Sequence, residues 1–166
     1  MKRFLKIIYI LSVICGITAC SNIECPLNNT ALSTYGFYQS GTTNKYKLID
    51  TITVKIPRNP KSLYNRAIGI NTFDLPVSFT LETDTLLFHI SNSNGQVTDT
   101  IFMNHTNKPH FESLECGTVF FHEVKSIHWT NHDKTVMPLT IDSIIIANPY
   151  INYEQTEHFK IYFSRK

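Results

Sequence analysis

Over residues 45–56 the chain reads KYKLIDTITVKI, and its second half alternates strictly: Ile52, Val54 and Ile56 are apolar, while Thr51, Thr53 and Lys55 are polar. One face every second residue is the period of a half-buried β-strand. The period recurs over 85–91, where Leu86, Phe88 and Ile90 share a face. Past Cys20 no stretch carries the apolar period of an amphipathic helix, and no internal repeat or long low-complexity segment intervenes. The chain is constrained to build its core from strands.

Turn chemistry divides the rest. STYGFY (33–38) reads as a first strand with Gly36 as a bulge. Pro57 ends the 45–56 strand, and RNPKSLYN reads as a loop by its Asn-Pro and Ser/Asn content. Further strands are expected over 68–73, 77–81, 85–91, 97–104, 117–129, 139–147 and 158–164. Between two of them SNSNGQ contains Asn94-Gly95, a pair suited to a type I′ hairpin turn. IDSIII (141–146) is apolar enough to read as a central strand. Eight or nine strands at hairpin-like spacing predict an all-β domain, an antiparallel β-sandwich (immunoglobulin-like) or an open barrel of about eight strands.

The N-terminus carries a different signal. Lys2, Arg3 and Lys6 precede an apolar run, 7–19, of 13 residues. A helix of that length covers roughly 20 Å, short of the roughly 30 Å hydrocarbon core of a bilayer. The layout is that of a secretory signal peptide. Its end, Ile17-Thr18-Ala19-Cys20, has the form of a lipobox: a branched apolar residue, two small residues and a cysteine whose thiol takes the lipid. The expected organisation is a signal peptide over 1–19, a lipidated tether over 20–32 beginning at Cys20, and a single β-domain over 33–166. Two or more acyl chains make such an anchor stable, at about 0.8 kcal/mol per buried CH₂.

Removing the signal leaves 147 of the 166 residues, one domain by length. It takes Lys2, Arg3 and Lys6 from the 15 basic residues, leaving 12 against 13 acidic ones, a net charge of −1. Such a chain has no electrostatic reason to bind nucleic acid and no polybasic patch for anionic lipid. Its contact with the membrane is expected through the N-terminal lipid. Two cysteines remain in an oxidising compartment. They read as a disulfide, Cys25–Cys116, closing a loop of about 90 residues and contributing roughly 4–5 kcal/mol. The alternatives are two free thiols, or a nucleophilic Cys116 with His122 as base, although ECGTVFF matches no catalytic cysteine signature.

These residues together resemble an uncharacterised lipoprotein family of Bacteroidetes. The resemblance rests on the lipobox with Cys25-Pro26, on STYGFY, on LPVSFTLETDTLLFHI (75–90), on DTIFMNH (99–105) with ECG (115–117), and on IDSIIIANPYINY (141–153). It implies an envelope lipoprotein with a β-rich domain and brings no catalytic residues with it. Lipoproteins exported to the cell surface in these bacteria carry an acidic run after the lipidated cysteine. Ser21-Asn22-Ile23-Glu24 has a single acid, which points to the periplasmic face of the outer membrane, with the cell surface as the alternative.

Reactive constellations are sparse. His122, His128 and His132 share a parity, but an extended strand sets His122 and His128 about 20 Å apart, far beyond metal bonds near 2 Å. No metal and no cofactor is implied. Glu112 with Glu115, Glu154 with Glu157, and His132-Asp133 are the charged pairs of interest, and nothing in the sequence places them in a pocket. No G-x-S-x-G elbow or Gly-rich phosphate loop occurs. The expectation is a non-enzymatic accessory or interaction module, with an outer-membrane protein as a natural partner. The alternative is a glycan-binding module using Trp129, Tyr150 and Tyr153, the last two in the polar segment NPYINYEQT.

Overall fold

A computed structural model describes Cys25 and residues 30–165, apart from Pro60, Leu114 and Lys134. The signal segment, Cys20 and most of the tether lie outside the described residues. Ten strands form two sheets: β1 (Leu32–Gln39), β2 (Thr51–Lys55), β3 (Ser62–Ala67), β4 (Thr72–Pro76), β5 (Thr83–Asn92), β6 (Gly95–His110), β7 (Val119–Trp129), β8 (Leu139–Ile146), β9 (Tyr150–Ile151) and β10 (Phe159–Arg165). No helix occurs among the described residues. One sheet runs β4-β1-β10-β8 and the other β3-β2-β5-β6-β7-β9. One of the two sheets curls into a half-barrel, so the fold is the expected sandwich or open barrel.

Alternation selects what faces inward. In β2, Ile52 and Val54 are buried between half-exposed neighbours, and in β5 Leu86, Phe88 and Ile90 point to the core. The small sheet supplies Tyr35, Phe37, Phe73, Phe159 and Phe163, all buried. Tyr35 lies stacked between Phe73, at 5.2 Å, and Phe159, at 4.7 Å. Such pairs contribute about 0.5–1.5 kcal/mol each beyond the burial of their area.

Several sequence expectations need correction. The sheets are not wholly antiparallel: β1 and β10, the first and last strands, pair in parallel. Ten strands replace eight or nine because β3 and the two-residue β9 have no apolar period to read. β3 falls in the expected loop RNPKSLYN; it is an edge strand, largely solvated, and pairs with β2 through irregular register. The strands expected over 68–73 and 77–81 are one strand, β4, with Phe73 and Leu75 inward. Pro76 is tolerated there because β4 is an edge. Residues 77–82 form a loop, in which the Ser78 hydroxyl accepts the N–H of Leu81 at 3.1 Å.

The β5–β6 connection pairs Asn92 with Gly95, so Ser93-Asn94 makes the turn rather than Asn94-Gly95. Neither turn residue has a positive φ, so it is not type I′; instead the Asn92 side chain accepts the Asn94 N–H at 2.8 Å. Gly36 is no bulge. Its pairing with Thr72 and Lys160 is regular, and its missing side chain makes room for the Glu157 carboxylate and the Lys45 amine that lie over it. IDSIII lies in β8, at an edge and not in the centre.

The strands define two ends. At one, β5 and β6 turn at Ser93-Asn94, and buried Asp50 joins the sheets by accepting from Asn92 of β5 at 2.7 Å and pairing with Arg165 of β10. At the other, β6 and β7 run six residue pairs beyond the start of β5, from His105 to His110. This is where Cys25 meets Cys116.

Candidate functional site

Cys25 and Cys116 form the expected disulfide, with Cα atoms 5.6 Å apart. Cys116 precedes β7 rather than opening it, and the bond removes the thiol that a Cys116–His122 pair would need. Beside the bridge is a cleft of about 300 Å³ lined by Ala31, Pro76, Val77, Phe79, Val119, Phe120 and His122, with Thr30 and Thr118 at its edge. Phe79, from the 77–82 loop, stacks on Phe120 at 5.5 Å.

His122 is nearly fully buried and belongs to a polar cluster set into this apolar end. Asn107 organises it. The Asn107 amide donates to the Leu81 carbonyl at 2.8 Å, which aims its oxygen at both imidazoles. The Nδ1–H groups of His122 (2.7 Å) and His105 (2.9 Å) donate to that oxygen. The rings meet edge to face at 5.4 Å. Asp84 lies 3.5 Å from His105 Nε2, which has no hydrogen-bond partner, and accepts the Ser78 N–H at 3.0 Å. Burial first, then the neighbouring His105, push His122 down to about 4, against the opposing pull of Asp84. At neutral pH His122 Nε2 is therefore a lone-pair acceptor. A base that weak suits binding a donor better than proton abstraction near pH 7.

A second buried pair closes the opposite end. Asp99 on β6 accepts the backbone N–H of His132 at 2.7 Å and lies 2.9 Å from its Nδ1, while His132 Nε2 lies 3.1 Å from the Met137 carbonyl oxygen. Both ring nitrogens are engaged, so the pair has no free nitrogen with which to act as a base. It fastens the connection between β7 and β8 over the core.

The three expected histidines do not converge. His122 lies at the disulfide end, His128 is exposed opposite Phe102, and His132 is held by Asp99. Among the described residues no group of three His, Cys, Asp or Glu side chains is placed to hold a metal ion. Of the carboxylates of interest, Glu112 pairs with His110, and Glu157 with Lys45 and Tyr38.

Trp129, Tyr150 and Tyr153 are not one platform. Tyr150 pairs with Glu123, six residues or roughly 20 Å along β7 from Trp129. Trp129 packs partly buried against the core. Tyr150 is exposed, and Tyr153 is edge to face on Phe121 at 5.0 Å. Tyr153 does line a polar groove of about 490 Å³ with Thr34, Asp74, Glu154 and Gln155.

Sequence reasoning missed Asp84, Asp99, His105 and Asn107. The signal for two of them was present: the alternation that buries Val97, Ile101 and Met103 also carries Asp99 and His105 inward. A polar residue in a core period is a buried polar group that needs a partner.

The fold and its cleft define a disulfide-bonded, two-sheet β-domain with a buried polar cluster at each end. A family model described as a family of unknown function, DUF6452, matches residues 56–163. The chain belongs to that family. The match begins after β2, although β1 is a central strand of the small sheet and Cys25 holds the bridge. No curated protein and no solved structure matches the chain.

Proposed function

We propose that the mature chain is a lipid-anchored envelope protein, held by Cys20 on the periplasmic face of the outer membrane, that works as an interaction module and performs no chemistry of its own. The lipobox and the apolar run before it support the anchor. The observation that carries the interaction reading is β8. It is an eight-residue strand, LTIDSIII, with β10 on one side and, among the described residues, no strand on the other. Natural edge strands are protected by Lys, Pro, bulges or brevity. β8 contains no Lys or Pro; its one irregularity is a bulge at Asp142, where the register with β10 shifts, and beyond it Ile145 is half exposed. Asp142 accepts from the Ser40 hydroxyl, and Asn131 donates to the Ile141 carbonyl. The remaining edge is a template for strand addition by a partner, with an outer-membrane protein the natural candidate by location.

The glycan-binding alternative would have to use the polar groove beside Tyr153, where the tyrosine ring already packs on Phe121 and Trp129 is distant. The edge is the better-supported contact.

The test is affinity purification of the tagged protein from its own envelope in mild detergent, alongside Ile145→Glu. Position 145 faces Lys160 across the β8–β10 ladder, so a glutamate there keeps the fold while charging the edge. The expected result is a stoichiometric partner with the parent chain and a loss of at least about tenfold with Ile145→Glu, or 1.4 kcal/mol. Recovery of no partner, or undiminished recovery by the variant, contradicts the proposal.

A further inference from the structure

We infer that the disulfide end of the domain seats in the bilayer to which the chain is tethered, with Phe79, Leu81 and Phe111 entering the headgroup and upper acyl region. The inference rests on the Cys20 anchor proposed above.

The tether fixes which end is close. Four residues lie between Cys20 and Cys25, and five steps of at most about 3.6 Å each keep Cys25 within about 18 Å of the lipidated residue. Cys25 is bonded to Cys116 beside β7. The β6 strand alone, at 16 residues, is roughly 50 Å long. Whatever the tilt, the tether keeps the Cys116 end near the membrane.

That end carries apolar side chains that the fold does not use. Phe79 is 61% exposed, Leu81 56% and Phe111 65%. They share the projecting part of the β6–β7 hairpin. Phe79 stacks on Phe120 and the Leu81 carbonyl is held by Asn107 of β6. Phe111 follows the last residue pair of the hairpin, His110 with Val119. Tyr150, on β9 against the same hairpin, is 57% exposed and supplies the amphipathic ring favoured at membrane interfaces.

The charges set depth and mechanism. Lys108 and Lys125, the cations of this hairpin, both bind Glu123, at 2.5 and 2.6 Å. Glu82, Glu112 and Glu115 flank the apolar residues. Seating is therefore shallow, apolar in origin and insensitive to the fraction of anionic lipid.

The test uses the full lipidated chain with Trp129→Phe, which removes the single tryptophan. Phe79→Trp, Phe111→Trp and Val136→Trp are made one at a time in that background. Val136 is 54% exposed at the opposite end, beside His132. Each protein is reconstituted in phosphatidylethanolamine–phosphatidylglycerol vesicles with brominated acyl chains, and flotation is recorded first. The inference expects tryptophan at 79 and 111 to lose roughly half its emission, as for side chains buried at the acyl boundary, while position 136 is unquenched. Equal quenching at all three positions, or none at any, in a chain that floats overturns the seating and leaves the anchor standing. Shielding of 79 and 111 from aqueous acrylamide without bromine quenching assigns the patch to contact between copies of the chain and also overturns it. A chain that does not float removes the anchor and the seating together.

Discussion

His122 shows how one buried side chain sets the pH response of a domain. Its unfolded value is near 6.5 and its folded value about 4. Between those limits the unfolded chain binds a proton that the native state refuses, so native stability falls as pH drops from about 6.5 towards 4. At about 1.4 kcal/mol per unit the full loss is about 3 kcal/mol. His158 works in the same direction: burial lowers it, and its Nδ1 accepts the Thr34 N–H at 3.0 Å, a bond that protonation would break. Urea unfolding at a series of pH values should therefore show a steeper acid loss for the parent than for His122→Gln, with His158 accounting for part of what remains in the variant. Parallel curves would show that His122 does not carry the effect. The inward parity of His105 and Asp99 on β6 was legible in the sequence; their partners were not. Asp84 and Asn107 share the inward parity of β5 and β6 but lie outside the expected strands 85–91 and 97–104, and His132 comes from the connection after β7, which no strand period records.

At the scale of elements, the period fixed faces and not neighbours. Ile52, Val54, Leu86, Phe88 and Ile90 face inward as their alternation requires. The parallel pairing of β1 with β10 joins segments more than a hundred residues apart, and no local signal encodes it. IDSIII reads as central because three consecutive isoleucines exceed what one buried face needs. In the fold Ile144 is buried, Ile145 points outward, and the strand lies at an edge. The connection leading into β8 depends on the Asp99–His132 pair. Leaving a buried hydrogen-bonding group without its partner costs about 1–3 kcal/mol. Asp99→Ala strands the His132 N–H that it accepts and should therefore lose about 2 kcal/mol in denaturant unfolding, with Asp142→Ala, exposed on β8, as a near-neutral comparison. A loss for Asp99→Ala no larger than that for Asp142→Ala would mean that the pair does not fasten this connection.

For the whole molecule, the two ends have different work. The Ser93-Asn94 end is closed by Asp50, Arg165, Asp99 and His132. The Cys25–Cys116 end carries the cleft, the imidazole cluster, the exposed Phe79 and Phe111, and the attachment of the proposed tether. The disulfide and the β class could both be anticipated from cysteine number, alternation and turn chemistry. What the domain binds has no sequence signature, because strand edges and loop tips recognise partners through backbone and shape.

The central claim is that Cys20 anchors this domain. Intact-mass measurement of the protein purified from its own membranes tests it most directly, with and without reduction, beside Cys20→Ser. The account predicts a chain that begins at Cys20, carries acyl chains, and gains two hydrogens on reduction as Cys25 and Cys116 separate; Cys20→Ser should carry no lipid. A mature chain with an unmodified Cys20, or one that retains residues 1–19, would contradict it.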